Sequence, residues 1–150
     1  MYESLKEVPD HLKMEFPVAE NFQVGFCTGL SLQGMILICI MPRWNFLLVG
    51  TDQIVNHLDK LSNITDGAYK PKVIIRVAVG VRHPIDPQEQ HVGDFTEAFK
   101  SMEVSIIDTC IENKLLDKLL TKISEIKVHN NQVILINTSK LLKKNSIYIK

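Results

Sequence analysis

The sequence lacks any uninterrupted apolar run of the roughly 18 to 20 residues that a membrane-spanning helix requires. Its first eleven residues, MYESLKEVPDH, are rich in charge and lack the apolar core of a secretory signal peptide. Cysteine is scarce, and the three cysteines, at positions 27, 39 and 110, do not follow a metal-ligand spacing. Cys27 and Cys39 lie in apolar surroundings and are expected to be small buried side chains. These absences predict a protein of the reducing cytoplasm.

The chain also lacks a net charge, because 17 lysines and arginines balance 17 aspartates and glutamates. Nucleic-acid-binding domains are usually basic, so this balance argues against a nucleic-acid partner. There is no phosphate-binding glycine loop, dinucleotide fingerprint, nucleophile elbow or metal-ligand motif. Individual motifs therefore do not identify a reaction.

Helical and strand patterns alternate along the chain. Apolar spacing predicts helices over 21–33, 45–62, 94–102 and 111–125, and strands over 35–41, 73–79, 104–108 and 132–137. The first helix is expected to be buried on more than one side and the first strand on both faces. This alternation predicts an α/β fold with a doubly wound, mainly parallel sheet and helices on both faces. We expect a polar lead-in over 1–15, one domain over 16–140 and a basic tail over 141–150.

A carboxylate stands just before the first predicted helix, at Glu20. A favourable interaction with the helix dipole is the simpler interpretation of this residue, and a catalytic acid is the alternative. Gly25 and Gly29 lie four residues apart on one face of the same helix, although glycine is unfavourable inside helices. Their spacing indicates that another backbone comes close, either an internal strand or a partner helix.

The segment 80–93, GVRHPIDPQEQHVG, is longer than a plain connection needs and is expected to carry function. His91 within it is either an exposed loop histidine or a proton donor that contacts substrate, since imidazole titrates near neutral pH. Two aromatic residues, Trp44 and Phe46, follow the first predicted strand, and they either fill the core or offer a stacking surface for a planar ring. Arg76 interrupts an apolar strand, which requires an edge position or a buried ion pair.

The order of these residues resembles a known family. Pro17, Glu20, Gly25 and Gly29 match the proline, glutamate and glycines of the pyrimidine-binding domain of transketolase-like thiamine diphosphate enzymes. The resemblance is greatest to the beta chains of pyruvate and branched-chain 2-oxo acid dehydrogenases, and it spans about residues 16 to 110. The further matches, in chain order, are Asn45, Phe46, Asp52, Gln53, Asn56, Arg76, Gly80, Gln90 and His91.

The resemblance implies roles for individual residues. Glu20 would hydrogen-bond the pyrimidine ring nitrogen of thiamine diphosphate and so promote loss of the thiazolium proton. Phe46 would stack on the pyrimidine, and His91 would face the substrate. The helix that carries Gly25 and Gly29 would contact a partner subunit, in a hetero-oligomer or a homodimer.

The family binds the diphosphate and its divalent metal through a Gly-Asp-Gly motif, which this sequence lacks. A separate diphosphate-binding chain would therefore have to supply this motif. The present chain would be inactive without that partner. The resemblance then implies cleavage or transfer at the ketone carbonyl of a 2-oxo acid or a ketose.

A second hypothesis is a truncated, non-catalytic relative that acts as a structural or interaction domain. The chain is short, and its loop contains PQEQHVG where the family has Gly-Pro-Gln-His-Ser/Thr-Gln. The presence of Glu20, Phe46, Gln90 and His91 favours the enzyme subunit.

Overall fold

Helices and strands alternate in the computed structural model, which describes residues 5–102, 105–108, 121 and 132–137. The helices are α1 (Glu20–Ser31), α2 (Trp44–Leu47) and α3 (Leu61–Ile64). The strands are β1 (Leu37–Ile40), β2 (Lys72–Val77), β3 (Ser105–Asp108) and β4 (Gln132–Asn137). Short 3-10 turns cover Asp10–Leu12, Leu48–Gly50, Glu89–His91 and Thr96–Phe99, and a π-helical segment covers Gln53–Leu58. The predicted helix over 111–125, apart from residue 121, and the predicted basic tail over 141–150 lie outside the described residues.

The four strands form one parallel sheet in the order β1-β2-β4-β3. Leu37 is in register with Val73, and Lys72 is in register with Gln132. The predicted α/β class and parallel sheet are thus confirmed. A doubly wound arrangement also needs helices on the second face of the sheet, and that part of the expectation stays a prediction.

The core lies between α1 and one face of the sheet. Along β2, Val73, Ile75 and Val77 are fully buried on this face because alternate residues of a strand point to the same side. Trp44 packs against Phe99 with ring centroids 5.4 Å apart. The other members of the core are Val24, Cys27, Cys39, Met41, Leu47, Ile54 and Leu58. The turns that follow β1 and β2 are therefore attached to a packed core.

In β1 and α1, burial is more one-sided than the apolar content of the sequence predicts. Cys39 of β1 is buried, but Ile38 beside it is 58% exposed, so the expectation that this strand is buried on both faces is wrong. In α1, Val24 and Cys27 face the sheet whereas Phe22 is 56% exposed, so this helix is not buried on several sides. Within the described part of the chain, no helix is long and apolar enough to cross a membrane.

The predicted helix over 45–62 is a series of shorter helical turns. Leu47, Ile54 and Leu58 are buried as their spacing predicts, but the segment changes from α2 through a 3-10 turn to the π-helical segment. The widened turn closes with a hydrogen bond from the Asp59 N–H to the Ile54 carbonyl, at 2.9 Å. An inserted turn of this kind is frequent at functional sites.

The helix predicted over 94–102 is wrong except for the 3-10 turn. Phe95 precedes this turn and makes no side-chain cap hydrogen bond, and Asp94 does not act as the helix cap. Its Oδ1 instead accepts hydrogen bonds from the Thr96 N–H at 3.0 Å and the Thr96 hydroxyl at 2.6 Å. Because an aspartate can bond the backbone two residues on, it forms a local turn that competes with a helix. Glu97 pairs with Lys100.

Candidate functional site

The backbones of β1 and β2 stay paired beyond their last strand residues. The Met41 N–H donates to the Arg76 carbonyl at 2.8 Å, and the Trp44 N–H donates to the Ala78 carbonyl at 3.3 Å. The start of α2 therefore lies beside the beginning of the 80–93 loop, at the carboxyl edge of the parallel sheet. Open parallel sheets bind their ligands at this edge.

Gly80 attaches the 80–93 loop to this edge. Its N–H donates a hydrogen bond of 3.0 Å to the carbonyl oxygen of His91. A Cβ atom at position 80 would lie 2.1 Å from that same oxygen, so only glycine allows this approach. The contact fixes the backbone of His91 next to the end of β2.

An ion-pair cluster holds the middle of the loop. Arg82 pairs with Asp86 at 3.0 Å and with Glu89 at 2.5 Å. The pKa of Asp86 is lowered mainly by a hydrogen bond from the Gln88 N–H, and the Arg82 guanidinium lowers it further. The Glu89 and Asp86 carboxylates raise the pKa of Arg82. The positive charge of this loop residue is thus balanced within the loop itself.

Phe46 and His91, which are far apart in the sequence, meet at this edge. Their ring centroids are 5.6 Å apart and the ring planes are tilted by 57°. Phe46 is in α2, whose first turn is closed by hydrogen bonds from Phe46 and Leu47 to the Arg43 carbonyl. Trp44 of the same helix is in the core. Trp44 therefore fills the core, whereas Phe46 is half-buried beside His91, and stacking of its ring on a ligand stays a prediction.

Glu20 is the first residue of α1 and is half-buried. The 3-10 turn Leu48–Gly50 packs against it, and a Cβ at Gly50 would lie 3.3 Å from the Glu20 carbonyl oxygen. Among the described residues, none forms a hydrogen bond or ion pair with its carboxylate. The position suits a dipole interaction and also leaves the carboxylate available to a ligand, so its catalytic role stays a prediction.

The two glycines of α1 have different surroundings. A Cβ at Gly25 would lie 2.9 Å from Oε1 of Gln53, so the close neighbour there is a side chain of the same chain. A Cβ at Gly29 would meet nothing within 4 Å. The predicted interface role stays a prediction for both, and Gly29 has the open surface that this role requires.

The matched residues Asp52, Gln53 and Asn56 form a local cluster at the π-helical segment. Asp52 accepts hydrogen bonds from the Asn56 side chain at 2.8 Å and from the Gln53 side chain at 3.3 Å. His57 is 3.8 Å from the same carboxylate. The cluster orients Gln53 towards Gly25 and so connects this segment to α1.

Sequence reasoning assigned no role to the two polar residues on either side of Trp44, although Asn45 was among the matches to the family. Nε of Arg43 lies 3.2 Å from the position of a Cβ at Gly80. Oδ1 of Asn45 is buried and has no hydrogen-bond partner among the described residues. The available signal was their place in the turn after a buried strand, where parallel α/β folds have their sites.

Two buried thiols, Cys27 and Cys39, lie in contact with each other. Cys27 and Cys39 are both free and buried, as the sequence predicts. The hydrogen bond with the Cys27 thiol and burial raise the pKa of Cys39, whereas the same hydrogen bond lowers the pKa of Cys27. In the described ranges there is also no group of three or more His, Cys, Asp or Glu side chains that could hold a metal ion.

Comparison with known proteins relates part of the chain to one kind of enzyme subunit. The chain is 29% identical over 72 residues to a pyruvate dehydrogenase E1 component subunit beta from Mesostigma viride, which covers 48% of this chain and 22% of that protein. It is 28% identical over 94 residues to the mitochondrial pyruvate dehydrogenase E1 component subunit beta from Ascaris suum, which covers 63% of this chain and 26% of that protein. The matched region is thus about a quarter of each relative's length. No protein-family model matches the chain.

The Gly80 contact predicts the effect of adding one methyl group. Gly80→Ala should destabilise the fold by about 1–3 kcal/mol, because the new atom overlaps the His91 carbonyl, and should separate the Phe46 and His91 rings. Gly29→Ala is the matched control, and should change stability by at most ~1 kcal/mol in the favourable direction. Denaturant unfolding and proton NOEs between the two rings measure both effects. Intact ring NOEs in Gly80→Ala would show that the glycine does not position His91.

Proposed function

We propose that this chain supplies the aminopyrimidine half of a thiamine diphosphate site. A separate diphosphate-binding chain would complete the site, for cleavage or transfer at the ketone carbonyl of a 2-oxo acid or a ketose. The observation that carries the proposal is the contact between Phe46 and His91 at the carboxyl edge of the sheet. Both residues are matched in the resemblance to dehydrogenase beta chains, and the partial similarity to E1 beta subunits supports the same relationship.

The residues proposed for the site suit an aminopyrimidine ring. Such a ring needs a carboxylate for its ring nitrogen and an apolar surface for its face. Glu20 has a half-buried carboxylate without a partner among the described residues, and Phe46 is a half-buried aromatic ring. The diphosphate and its metal have no counterpart here, since the sequence contains no Gly-Asp-Gly motif. The proposed division of the site between two chains follows from this difference.

Thiamine diphosphate, when bound, supplies a nucleophilic carbon and an electron sink for reaction at a carbonyl. Glu20 would hold a proton at the pyrimidine ring nitrogen. Phe46 would exclude water from the face of the ring. His91 would donate or accept a proton at a substrate oxygen, and Gly80 holds its backbone in place for this role.

A second candidate function is a non-catalytic interaction domain. The observation that favours it is an aromatic cluster formed by Phe16, Phe22 and Phe26 around α1, with ring centroids 5.1 to 5.9 Å apart. Phe22 in this cluster is exposed, and the open face at Gly29 belongs to the same helix. Both candidates use α1 as a contact surface, and they differ in whether Glu20 is needed for chemistry.

The open face of α1 predicts a separation between assembly and folding. Gly29→Leu should weaken association with the partner chain or with a second copy and leave thermal stability nearly unchanged, because the monomer has space at this position. Gly25→Leu is the matched comparison and should lower thermal stability, because Gln53 occupies that space. Analytical ultracentrifugation and thermal unfolding measure the two effects. A Gly29→Leu variant that unfolds early but assembles normally would contradict the interface role.

The proposed role of Glu20 as an acid predicts that its replacement by glutamine greatly slows exchange of the thiazolium proton. Glu20→Gln keeps the shape of the side chain but cannot share a proton with the pyrimidine nitrogen. Positioned acid–base groups contribute about 100- to 10,000-fold in rate, so exchange of the thiazolium proton should be at least ~100-fold slower. The loss of a dipole interaction alone would change stability by only about 0.3–1 kcal/mol.

This exchange can be followed by NMR in the complex with the diphosphate-binding chain. Glu15→Gln, at an exposed glutamate just before α1, is the matched control and should exchange at the unmodified rate. An undiminished rate in Glu20→Gln would remove the catalytic interpretation and favour the interaction domain.

A further inference from the structure

Arg43 lies between the two elements that carry the proposed site. It follows the end of β1 and immediately precedes α2, and its carbonyl oxygen accepts the Phe46 N–H at 3.2 Å. On the other side, its Nε is 3.2 Å from the position of a Cβ at Gly80, whose N–H bonds His91. The guanidinium group therefore lies next to the backbone contact that holds His91.

No acidic side chain of the described residues neutralises Arg43. The hydrogen bond made by its guanidinium goes to the adjacent Pro42 carbonyl, at 2.8 Å. Arg82 in the nearby loop differs, because Asp86 and Glu89 both pair with it. A guanidinium has five N–H donors, so Arg43 has donors left for a ligand.

A second positive charge is close to Arg43. The pKa of Arg76 is lowered mainly by burial, and the positive charge of Arg43 lowers it further. This second effect indicates that the two guanidinium groups repel each other. An anion bound at this edge would reduce that repulsion. Oδ1 of Asn45 is also buried without a hydrogen-bond partner among the described residues, 3.5 Å from the position of a Cβ at Gly93. Rotation of this carboxamide by 180° would present its NH2 group instead.

We propose that Arg43 binds the carboxylate group of a 2-oxo acid, next to Phe46 and His91. The inference rests on the proposed function and narrows its substrate from 2-oxo acids or ketoses to 2-oxo acids. Arginine suits this role because its planar group can form two parallel N–H···O bonds with one carboxylate. A neutral ketose offers no such partner, and a sugar phosphate would offer an anion of different shape.

The test uses NMR titration of the complete 15N-labelled chain with pyruvate, methyl pyruvate and inorganic phosphate. Pyruvate should shift the Arg43 Nε–H signal and the Gly80 and His91 amide signals. Methyl pyruvate has the same ketone without the charge, and phosphate has a charge without the ketone. Both should bind at least about tenfold more weakly than pyruvate, which corresponds to about 1.4 kcal/mol.

Variants assign the effect to the side chain. Arg43→Gln should weaken pyruvate binding at least about tenfold, and Arg43→Lys should give an intermediate loss because it keeps the charge without the bidentate geometry. Lys100→Gln, at an exposed cation that pairs with Glu97 outside the 80–93 loop, is the matched control and should bind pyruvate as the unmodified chain does. NOEs between the Phe46 and His91 rings verify that each variant keeps the site. If Arg43→Gln does not fold, the Lys variant and the Arg43 signal of the unmodified chain decide the question.

Three results would overturn the inference. They are equal binding of methyl pyruvate and pyruvate, equal binding of phosphate and pyruvate, and pyruvate binding that does not depend on Arg43. Calorimetry with thiamine diphosphate on the assembled complex tests the proposed function separately. Arg43-dependent pyruvate binding without cofactor binding would leave the carboxylate site and remove the thiamine function. Cofactor binding without Arg43-dependent pyruvate binding would leave the thiamine function and remove the carboxylate site.

Discussion

The hydrogen bond between the Gly80 N–H and the His91 carbonyl is the constraint on which the candidate site depends. It closes the long loop onto the end of β2, at a distance that no residue with a Cβ could adopt. Phe46, which follows the neighbouring strand β1, then contacts His91, and Arg43 lies against Gly80. A loop without this closure would leave three groups of different chemistry, an aromatic ring, an imidazole and a guanidinium, without a common position.

The parallel sheet explains why these groups meet at one edge. Backbone pairing of β1 with β2 continues to Trp44 and Ala78, which aligns the two connections that leave the sheet. Trp44 is then drawn into the core while Phe46, two residues later in the same short helix, is left half-buried beside the loop. Core packing and the candidate site thus share one helical turn, so the site's geometry is supported by the hydrophobic contacts of Trp44 with Phe99.

The sequence predicts the parts of this structure that depend on local pattern. The apolar runs around Ile38 and Ile75 predict strands correctly, because strand formation follows from short-range composition. One-sided burial was not predictable, since exposure of Ile38 depends on which layers cover the sheet. Family resemblance implied separate roles for Phe46 and His91, but neither the resemblance nor periodicity predicted that their rings are in contact. Arg43 was missed because its significance depends on the distant Gly80.

The central claim is that this chain binds the aminopyrimidine half of the cofactor, and binding of separate cofactor fragments tests it most directly. The complete chain, with labelled aromatic and glutamate side chains, is titrated by NMR with 4-amino-5-aminomethyl-2-methylpyrimidine and, in parallel, with a thiazolium fragment. The account predicts that the pyrimidine shifts the side-chain signals of Glu20 and Phe46 and that the thiazolium fragment leaves them unchanged. The account would be contradicted if the pyrimidine left the side-chain signals of Glu20 and Phe46 unchanged, or if the thiazolium fragment shifted them as much as the pyrimidine does.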